Sequence, residues 1–207
     1  GKNLAYMRAQ VEKSITRSTM VVAVSHSTKN DIMRFFGTPE EKIRVVPNGV
    51  DLSFFKPATQ PRISATRKLY NLPEKYMLFL GNVEPRKNIS GLLEAYAMSY
   101  PKHKLPLIVG GGRGWNDEAI QKRFDELSSL PIIRLGYVDE TDMPALYSGA
   151  TMFVYPSQYE GFGIPVLEAM ATGCPVICAD NSSFPEVVGN AAIMVASHDC
   201  QALAGAM

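Results

Sequence analysis

The sequence predicts a doubly wound α/β domain, in which helices cover both faces of a parallel, Rossmann-like sheet. Three observations support this fold class. Short apolar runs alternate with single helical segments along most of the chain, and the apolar residues within each run are consecutive. Strands that are apolar at every position are typical of a parallel sheet buried on both faces. The 207 residues are 46% hydrophobic and 20% charged, as expected of a globular protein.

The chain opens with an amphipathic helix and a small strand–helix–strand unit. One apolar helical stripe consists of Leu4, Met7, Val11 and Ile15. Two predicted strands, 21–24 and 43–46, flank a predicted helix over residues 28–36. Within that helix, Thr28 and Asp31 have the spacing of a capping box, so we expect Thr28 to cap it.

A turn and a proline-containing connection separate this unit from the rest of the chain. The turn covers residues 47–49, and the connection covers residues 56–61, where two prolines occur with few apolar residues. We therefore predict that residues 1–50 end one domain and that residues 51–207 form a second.

The second part has the alternating pattern of a doubly wound sheet. The predicted strands are 77–80, 107–109, 132–135, 152–155, 176–179 and 193–195. The predicted helices between them are 89–99, 117–130, 143–148, 165–172 and a short one at 185–188. A last helix is expected to begin after Asp199, which we predict to be its N-cap.

Composition excludes several classes of function. The 21 basic and 20 acidic residues leave a net charge of +1, which gives no field strong enough for nucleic-acid binding. No apolar stretch reaches the about 18 residues typical of a transmembrane helix, and no signal peptide opens the chain. We therefore expect a soluble cytoplasmic protein. The basic side of the first helix leaves peripheral contact with the inner face of the membrane as an alternative.

The three cysteines, Cys174, Cys178 and Cys200, are expected to be free thiols in a reducing cytoplasm. The first two bracket a predicted strand that separates them by roughly 13 Å, which is too far for a disulfide. No matching histidine cluster accompanies them. We therefore predict no metal site. No cofactor is expected either.

Ligands of doubly wound sheets bind beyond the carboxyl ends of the strands, so the residues after each strand are the candidate site. Strand 77–80 is followed by Gly81 and, five residues later, by Arg86 and Lys87. Glycine lets a ligand approach the backbone, and two cations suit a diphosphate. The alternative is a turn glycine followed by solvated basic residues. A glycine-rich segment at 110–114 matches neither the dinucleotide fingerprint nor the P-loop.

The clearest signal is the segment EGFGIPVLE, in which seven residues separate Glu160 from Glu168. Strand, loop and helix follow in that order, so the amides of Phe162, Gly163 and Ile164 lie near a helix N-terminus, where phosphate groups bind. We expect Glu168 to accept hydrogen bonds from the ribose hydroxyls of a sugar nucleotide, and Glu160 to lie nearer the sugar. The alternative is a helix N-terminus with acidic residues that suit its dipole.

Two further loops are candidates for the same pocket. Tyr137 and Val138 follow strand 132–135 and are placed to receive a base through the backbone and the ring face, with a simple turn as an equal alternative. Residues 182–186, of sequence SSFPE, are expected either to line the pocket or to start a helix by ordinary capping.

These segments resemble, in order and spacing, the group 1 family of retaining GT-B glycosyltransferases. The resemblance is carried by the runs GNVEPRKN, LGYV, EGFGIPVLEAMATGCPVI and SSFPEVVGNAA, and upstream by VVAVSHSTKNDI and VVPNGVD. It implies that the predicted sheet is the C-terminal, donor-binding half of a GT-B fold. Residues 1–50 would then be the end of the N-terminal acceptor domain with the interdomain linker. Residues 51–207 would be the nucleotide-sugar-binding domain, truncated at its end.

The resemblance implies roles for individual residues around the reacting bond. Arg86 and Lys87 match the basic pair that neutralises the donor diphosphate. Glu160 matches, together with the amides of Phe162 and Gly163, the part that holds the donor sugar. We therefore predict Arg86, Lys87 and Glu160 as the catalytic side chains.

Other residues are predicted to bind the donor. Glu168 is similar to the family's ribose-binding glutamate, and Tyr137 and Val138 would frame the base. Gly81 would make room near the phosphate, and Ile164 belongs to the loop whose amides are expected to bind it.

The family transfers a hexose from a nucleotide sugar to an acceptor hydroxyl, with retention of the anomeric configuration and without a required metal, so the resemblance implies this reaction. UDP- and GDP-linked donors both fit, and the acceptor would be a glycan, a lipid-linked saccharide or a small molecule. Because the acceptor domain would precede residue 1, we expect this chain alone to transfer little or nothing. Two alternatives share the architecture: a nucleotide-binding module without transfer activity, and a nucleotide-sugar epimerase.

Overall fold

The chain divides into two compact units, Gly1–Asn48 and Gly49–Met207. This computed structural model describes residues 2–112, 114–115 and 117–207, with side chains from Tyr6 onward. Arg113, in the glycine-rich segment 110–114, and the side chain of Leu4 therefore lie outside the described residues.

The first unit pairs two short strands with two helices. Its elements are α1 (Lys2–Arg17), β1 (Val21–Ala23), α2 (His26–Phe36) and β2 (Ile43–Val45). The strands are parallel neighbours, with Val21 opposite Ile43. The predicted strand–helix–strand order is confirmed.

Helix α2 begins earlier than the capping-box pattern predicts. The residue that caps it is Ser25 and not Thr28, because the Ser25 side-chain oxygen accepts a hydrogen bond from the Thr28 amide at 3.0 Å. Ser25 has an extended backbone at the end of β1, which is the conformation that an N-cap requires. Thr28 consequently lies inside the first helical turn.

The second unit alternates strands and helices along the chain. Its strands are β3 (Met77–Leu80), β4 (Leu107–Gly110), β5 (Ile132–Gly136), β6 (Met152–Tyr155), β7 (Val176–Ala179) and β8 (Ile193–Val195). Its helices are α3 (Gln60–Leu69), α4 (Ile89–His103), α5 (Glu118–Glu126), α6 (Met143–Gly149), α7 (Ile164–Ala171), α8 (Phe184–Val188) and α9 (Cys200–Ala206).

The described strands of this unit form one parallel sheet in the order β5–β4–β3–β6–β7–β8. Helices flank the sheet, so the predicted doubly wound α/β class is confirmed. Strands β3 and β6 are neighbours, with Met77 opposite Met152. The chain therefore runs outward from β3 to β5 and then returns to begin β6 on the other side of β3. This reversal is a topological switch point, where doubly wound sheets bind their ligands.

The core lies along the central strands. Every residue of β3, β4 and β7 is buried, which explains why these runs are apolar at consecutive positions. The rings of Phe79 and Tyr155 stack at 5.5 Å between centroids, and Tyr155 stacks on Phe153 at 5.4 Å. The outer strands β5 and β8 are only partly buried. The central strands therefore give firm support to the loops that follow them.

Helices α3, α4 and α5 also differ from the sequence prediction. Helix α4 continues to His103 instead of ending at residue 99. Helix α3 occupies residues that the proline pattern partly assigns to a connection, because Pro61 lies in its first turn, where a missing amide costs nothing. It buries mainly Ile63 and Thr66, so it carries no clear apolar stripe. Helix α5 ends at Glu126 instead of residue 130. The next residues, Leu127-Ser128-Ser129, end it because serine competes for backbone hydrogen bonds.

Three smaller features complete the fold. Asp199 caps α9, as predicted, because its Oδ1 accepts a hydrogen bond from the Ala202 amide at 2.8 Å. Cys174, Cys178 and Cys200 are free thiols, also as predicted. In the described part of the chain, no helix combines the length and the apolar character that crossing a membrane requires.

Candidate functional site

The loops after β3 and β6 meet at the switch point of the sheet. The amide of Gln158 donates a hydrogen bond to the carbonyl oxygen of Arg86 at 2.8 Å, which joins the two loops directly. A 3₁₀ turn, Pro85–Lys87, carries both basic side chains, and Asn88 follows it in the left-handed conformation. The predicted basic pair therefore lies beside the predicted glutamate loop.

Six polar residues form what we call the ion cluster: Glu84, Arg86, Lys87, Tyr155, Ser157 and Glu160. Lys87 Nζ lies 2.6 Å from Glu160 Oε1 and 2.6 Å from the Tyr155 hydroxyl oxygen. The same Glu160 oxygen accepts hydrogen bonds from the Tyr155 hydroxyl at 3.3 Å and from Ser157 Oγ at 2.8 Å. Lys87 and Glu160 are each only 9% exposed. Tyr155 and Ser157 thus hold the Lys87–Glu160 pair in place.

Arg86 closes the cluster on its solvent side. Its Nη1 lies 2.9 Å from Glu160 Oε2 and donates to the Tyr159 carbonyl oxygen at 2.7 Å. Its Nη2 donates to Glu84 Oε1 at 2.7 Å. The Arg86 side chain is 38% exposed, whereas that of Lys87 is 11% exposed. A ligand that arrives from solvent can therefore reach Arg86 without displacing Lys87.

The pairing shifts the acid–base equilibria of the cluster. Although burial opposes the shift, the hydrogen bond and the charge of Lys87 lower the pKa of Glu160, with help from Ser157 and Arg86. Burial likewise opposes the shift at Arg86, whose pKa is nevertheless raised by Glu160 and Glu84. The Tyr155 pKa is raised well above its ordinary value by burial and by the Glu160 charge. At neutral pH the cluster therefore holds an ionised Glu160 and a neutral Tyr155.

A second group of residues surrounds a cavity of about 370 Å³ next to Glu168, called here the Glu168 cavity. Its lining includes Gly81, Tyr137, Val138, Glu140, Tyr147 and Glu168. The Tyr137 side chain is 81% exposed, whereas Val138 is buried. An adjoining cavity of about 150 Å³ shares Gly81, Tyr137 and Val138 and extends to Gly110–112 of the next loop. The predicted base-binding residues thus lie next to the predicted ribose-binding glutamate.

Glu168 has a different environment from Glu160. Its Oε2 accepts a hydrogen bond from the Tyr147 hydroxyl at 2.9 Å. Burial raises the pKa of Glu168; the Tyr147 hydrogen bond opposes this shift, and the charge of Glu140 adds to it. In the part of the chain that the structure describes, no cation pairs with Glu168. This carboxylate is therefore suited to uncharged hydrogen-bond donors.

Hydrogen bonds from the start of α8 hold the loop that joins the two glutamates. The Glu160 amide donates to Ser182 Oγ at 3.1 Å, and Ser183 Oγ donates to the Phe162 carbonyl oxygen at 2.7 Å. Gly163 has φ 99°, and a Cβ there would lie 2.8 Å from the Phe184 ring. Only glycine fits both conditions. Segment 182–186 therefore fixes the conformation of this loop through hydrogen bonds and the Phe184 ring.

The structure thus sorts the predicted site residues into three places. Arg86, Lys87 and Glu160 come together in the ion cluster, and Gly81, Tyr137, Val138 and Glu168 come together around the Glu168 cavity. Phe162, Gly163 and Ile164 lie at the start of α7 and do not line that cavity. Their predicted role as amide donors to phosphate stays a prediction. Within the described residues, no group of three or more His, Cys, Asp or Glu side chains is placed to hold a metal ion.

Sequence reasoning missed five members of these groups: Glu84, Glu140, Tyr147, Tyr155 and Ser157. Tyr147 and Tyr155 are fully buried in regular elements, so in the sequence they are indistinguishable from core residues. Glu84 stands two residues before Arg86, and Ser157 three before Glu160. For Glu84 and Ser157, the short distance in sequence from a predicted site residue is the signal that could have identified them.

Comparison with known proteins identifies the family of the chain. Residues 64–207 match the family described as "Glycosyl transferases group 1", and residues 1–54 match "Glycosyltransferase Family 4". O-antigen chain mannosyltransferase B of Escherichia coli is 36% identical over 201 residues, which cover 96% of this chain and 53% of that protein. O-antigen chain mannosyltransferase RfbU of Salmonella typhimurium is 33% identical over 194 residues, covering 94% and 51%. The chain spans about half the length of these curated relatives.

Solved structures agree with the sequence relatives. HepE of Anabaena, solved in complex with UDP-glucose, superposes with a TM-score of 0.81 at 22% identity and covers 91% of this chain and 52% of its own. Sucrose-phosphate synthase of Thermosynechococcus elongatus superposes with a TM-score of 0.78 at 27% identity, covering 97% and 51%. The fold is that of GT-B proteins.

Proposed function

Since this chain belongs to the group 1 glycosyltransferase family, we propose that it binds the donor in an enzyme that transfers a hexose from a nucleotide sugar to an acceptor hydroxyl. The observation that carries the proposal is the convergence of Arg86 and Lys87 on Glu160 at the switch point of the sheet. The names of the similar proteins favour mannose as the sugar. The nucleotide is uridine- or guanosine-linked.

The two cations stabilise the leaving group. As the bond between the sugar C1 and the phosphate oxygen breaks, negative charge grows on the diphosphate, and fixed donors lower the barrier most when they are aimed at that charge. The Lys87 ammonium has three N–H donors, two of which are occupied by Tyr155 and Glu160, so one is available to a phosphate oxygen. The exposed Arg86 guanidinium has further donors.

Glu160 has two proposed roles. It holds both cations in place, because each of its oxygens contacts one of them. It also accepts a hydrogen bond from a hydroxyl of the donor sugar. Since Glu160 is tied to two cations, it is a poor nucleophile, and no covalent sugar–enzyme bond is needed. The acceptor oxygen bonds to C1 on the face that the diphosphate leaves, and a diphosphate oxygen takes the acceptor proton, so the anomeric configuration is retained.

The remaining parts of the donor and acceptor follow the same scheme. The Glu168 cavity takes the ribose and the base, and the amides of Phe162, Gly163 and Ile164 face the phosphates. No metal or cofactor takes part.

Residues 1–50 belong to the acceptor domain and the linker, a proposal that the separate match of residues 1–54 supports. The acceptor is a glycan, a lipid-linked saccharide or a small molecule, met in the cytoplasm or at the inner membrane face.

Thermal unfolding of the 207-residue chain with UDP, GDP and ADP tests donor binding. A ligand at a hundred times its dissociation constant stabilises a protein by about 2.7 kcal/mol. We expect UDP or GDP to raise Tm, and the corresponding nucleosides to raise it less, because they do not reach the ion cluster. A chain that none of the three diphosphates stabilises would contradict the proposal.

The reaction itself is tested with a labelled nucleotide sugar and saccharide acceptors. We expect this chain alone to transfer little or nothing, because its relatives are about twice as long, so any product is accumulated over a long incubation. The anomeric configuration of the accumulated product, read by proton NMR, is expected to be that of the donor, and added EDTA is expected to leave the rate unchanged. An inverted product would exclude the same-face route. Deuterium incorporation at the sugar C2 would instead indicate an epimerase.

A further inference from the structure

Tyr147 is held rigidly behind Glu168. It lies on α6, is fully buried and donates its hydroxyl hydrogen to Glu168 Oε2 at 2.9 Å. Its ring contacts Phe153 at 5.1 Å and Phe55 at 6.4 Å between centroids, in both cases edge to face. The phenol therefore cannot swing away from the carboxylate without opening the core.

Glu168 is a half-buried acid with no cation beside it in the described part of the chain. The groups that face it are Tyr147 from α6, Glu140 from the 3₁₀ turn before α6, and Tyr137 from the loop after β5. None of them is a cation, and Glu140 repels the ionised form. Such a carboxyl is costly to bury unless a ligand uses it. Because Tyr147 occupies Oε2, the other oxygen is left for that ligand in the described part of the chain.

We propose that Tyr147 is a positioning residue that makes donor binding selective for ribose. It fixes the Glu168 carboxylate so that Oε1 accepts hydrogen bonds from the 2′ and 3′ hydroxyls of a ribonucleotide. This inference rests on the proposed function, because it assumes that a nucleoside diphosphate occupies the Glu168 cavity. A structural role for Tyr147 alone would lower stability without any effect on the choice between ribose and deoxyribose.

The test compares affinities for matched ligands. Calorimetry gives the dissociation constants of GDP and 2′-deoxy-GDP, and of UDP and 2′-deoxy-UDP, for the wild type, for Tyr147→Phe and for Tyr96→Phe. Tyr96 is the matched control, since it is also fully buried and its hydroxyl donates to the Leu105 carbonyl oxygen at 3.0 Å, away from the cavity. We expect the wild type and Tyr96→Phe to prefer the ribonucleotide about tenfold, as the loss of one hydrogen bond to a charged group predicts.

Tyr147→Phe should reduce this preference to about threefold or less and leave the affinity for the deoxynucleotide within a factor of two. When the pH is lowered, the remaining preference for the ribonucleotide should also disappear at a higher pH in Tyr147→Phe than in the wild type. The reason is that the phenol hydrogen bond lowers the Glu168 pKa, so its removal lets the carboxyl protonate sooner on acidification. An unchanged preference and an unchanged pH profile in Tyr147→Phe would overturn the inference while leaving the proposed function in place.

A measurement on the wild type keeps the inference falsifiable even if Tyr147→Phe does not fold. The carbon-13 resonance of the Glu168 side-chain carboxyl is expected to move when GDP or UDP is added, and to move less with the 2′-deoxy ligand. A resonance that responds equally to both sugars would overturn the inference. Failure of every nucleoside diphosphate to bind would overturn both the inference and the proposed function.

Discussion

Glu160 and Glu168 belong to one short segment, yet they are held in opposite ways. Glu160 lies within 2.6 to 2.9 Å of an ammonium and a guanidinium nitrogen, and its pKa is lowered. Glu168 touches a neutral phenol, and its pKa is raised by burial. The difference comes from the neighbouring elements: the Glu160 loop meets the basic turn after β3, whereas Glu168 contacts helix α6.

Under the proposed function, this difference separates two tasks within one ligand site. A paired carboxylate keeps cations in place for the charged diphosphate, and an unpaired one accepts hydrogen bonds from neutral hydroxyls. A charged ligand part thus meets charges whose positions are already fixed, which reduces reorganisation at the moment of reaction. Four experiments can break or sharpen this comparison.

The largest difference is expected in stability between Glu160→Gln and Glu168→Gln. Removing the charge of Glu160 leaves two cations close together without their shared partner, and breaking such a buried pair costs about 3 kcal/mol. Glu168 is only half-buried and has no cation partner among the described residues, so Glu168→Gln should change the free energy of unfolding by less than about 1 kcal/mol. Urea denaturation of both variants checks this. Equal losses would remove the distinction on which the comparison depends.

Lys87→Ala should weaken binding of UDP or GDP by roughly ten- to a hundredfold, because a hydrogen bond from a charged donor to phosphate is lost. Binding of the corresponding nucleoside should change little, since it stays in the Glu168 cavity. Lys122→Ala is the matched control: it removes the same charge from an exposed pair, 4.0 Å from Glu126. Calorimetry gives the dissociation constants of the nucleotide and the nucleoside for the wild type and both variants. A loss of affinity in Lys122→Ala as large as in Lys87→Ala would indicate a general charge effect.

Gly163→Ala should cost about 2 kcal/mol of stability, because alanine is strained at φ 99° and its methyl group would contact Phe184. Gly205→Ala, in α9 with open space around it, should instead stabilise by about 0.5 kcal/mol. Thermal unfolding compares the two. A neutral Gly163→Ala would show that the loop between the glutamates is not held in the described geometry.

The smallest effect is a pH dependence of stability with opposite signs at the two glutamates. The pKa of Glu168 in the folded chain lies above its ordinary 4.5. Its contribution to the free energy of unfolding is therefore fully present below pH 4.5 and is lost as the pH rises through the folded-state pKa. Glu160 has a lowered folded pKa, so its contribution is present above 4.5 and is lost as pH falls through the lower folded value. Between pH 4.5 and 7, Glu168→Gln should therefore flatten the wild-type curve. A curve that keeps its slope in that variant would contradict the Glu168 assignment.

Much of this arrangement is predictable from sequence because it depends on the sheet. Consecutive apolar runs mark β3 and β6, and parallel strands bring their following loops to one edge, so Arg86, Lys87 and Glu160 can be expected to meet. The direct contact of Lys87 with Glu160 depends on the strand order, which no local pattern encodes.

Other features leave no local trace. The role of Tyr147 depends on how α6 packs against α7, and a buried tyrosine in a helix has the same pattern as any core residue. Helix α3 is missed for the converse reason, since its polar sequence carries too few apolar positions to predict burial. Tertiary packing determines both the role of Tyr147 and the formation of helix α3.

A crystal structure of the chain with a bound nucleotide sugar tests the central claim most directly. We predict phosphate oxygens within hydrogen-bond distance of Lys87 Nζ and the Arg86 guanidinium, with the ribose hydroxyls on Glu168. The opposite result would be a donor elsewhere, for example in the cavity of about 340 Å³ at the amino ends of the strands, lined by Thr151, Pro175 and Ala192. A nucleotide sugar bound there, with the ion cluster still closed on itself, would contradict the account.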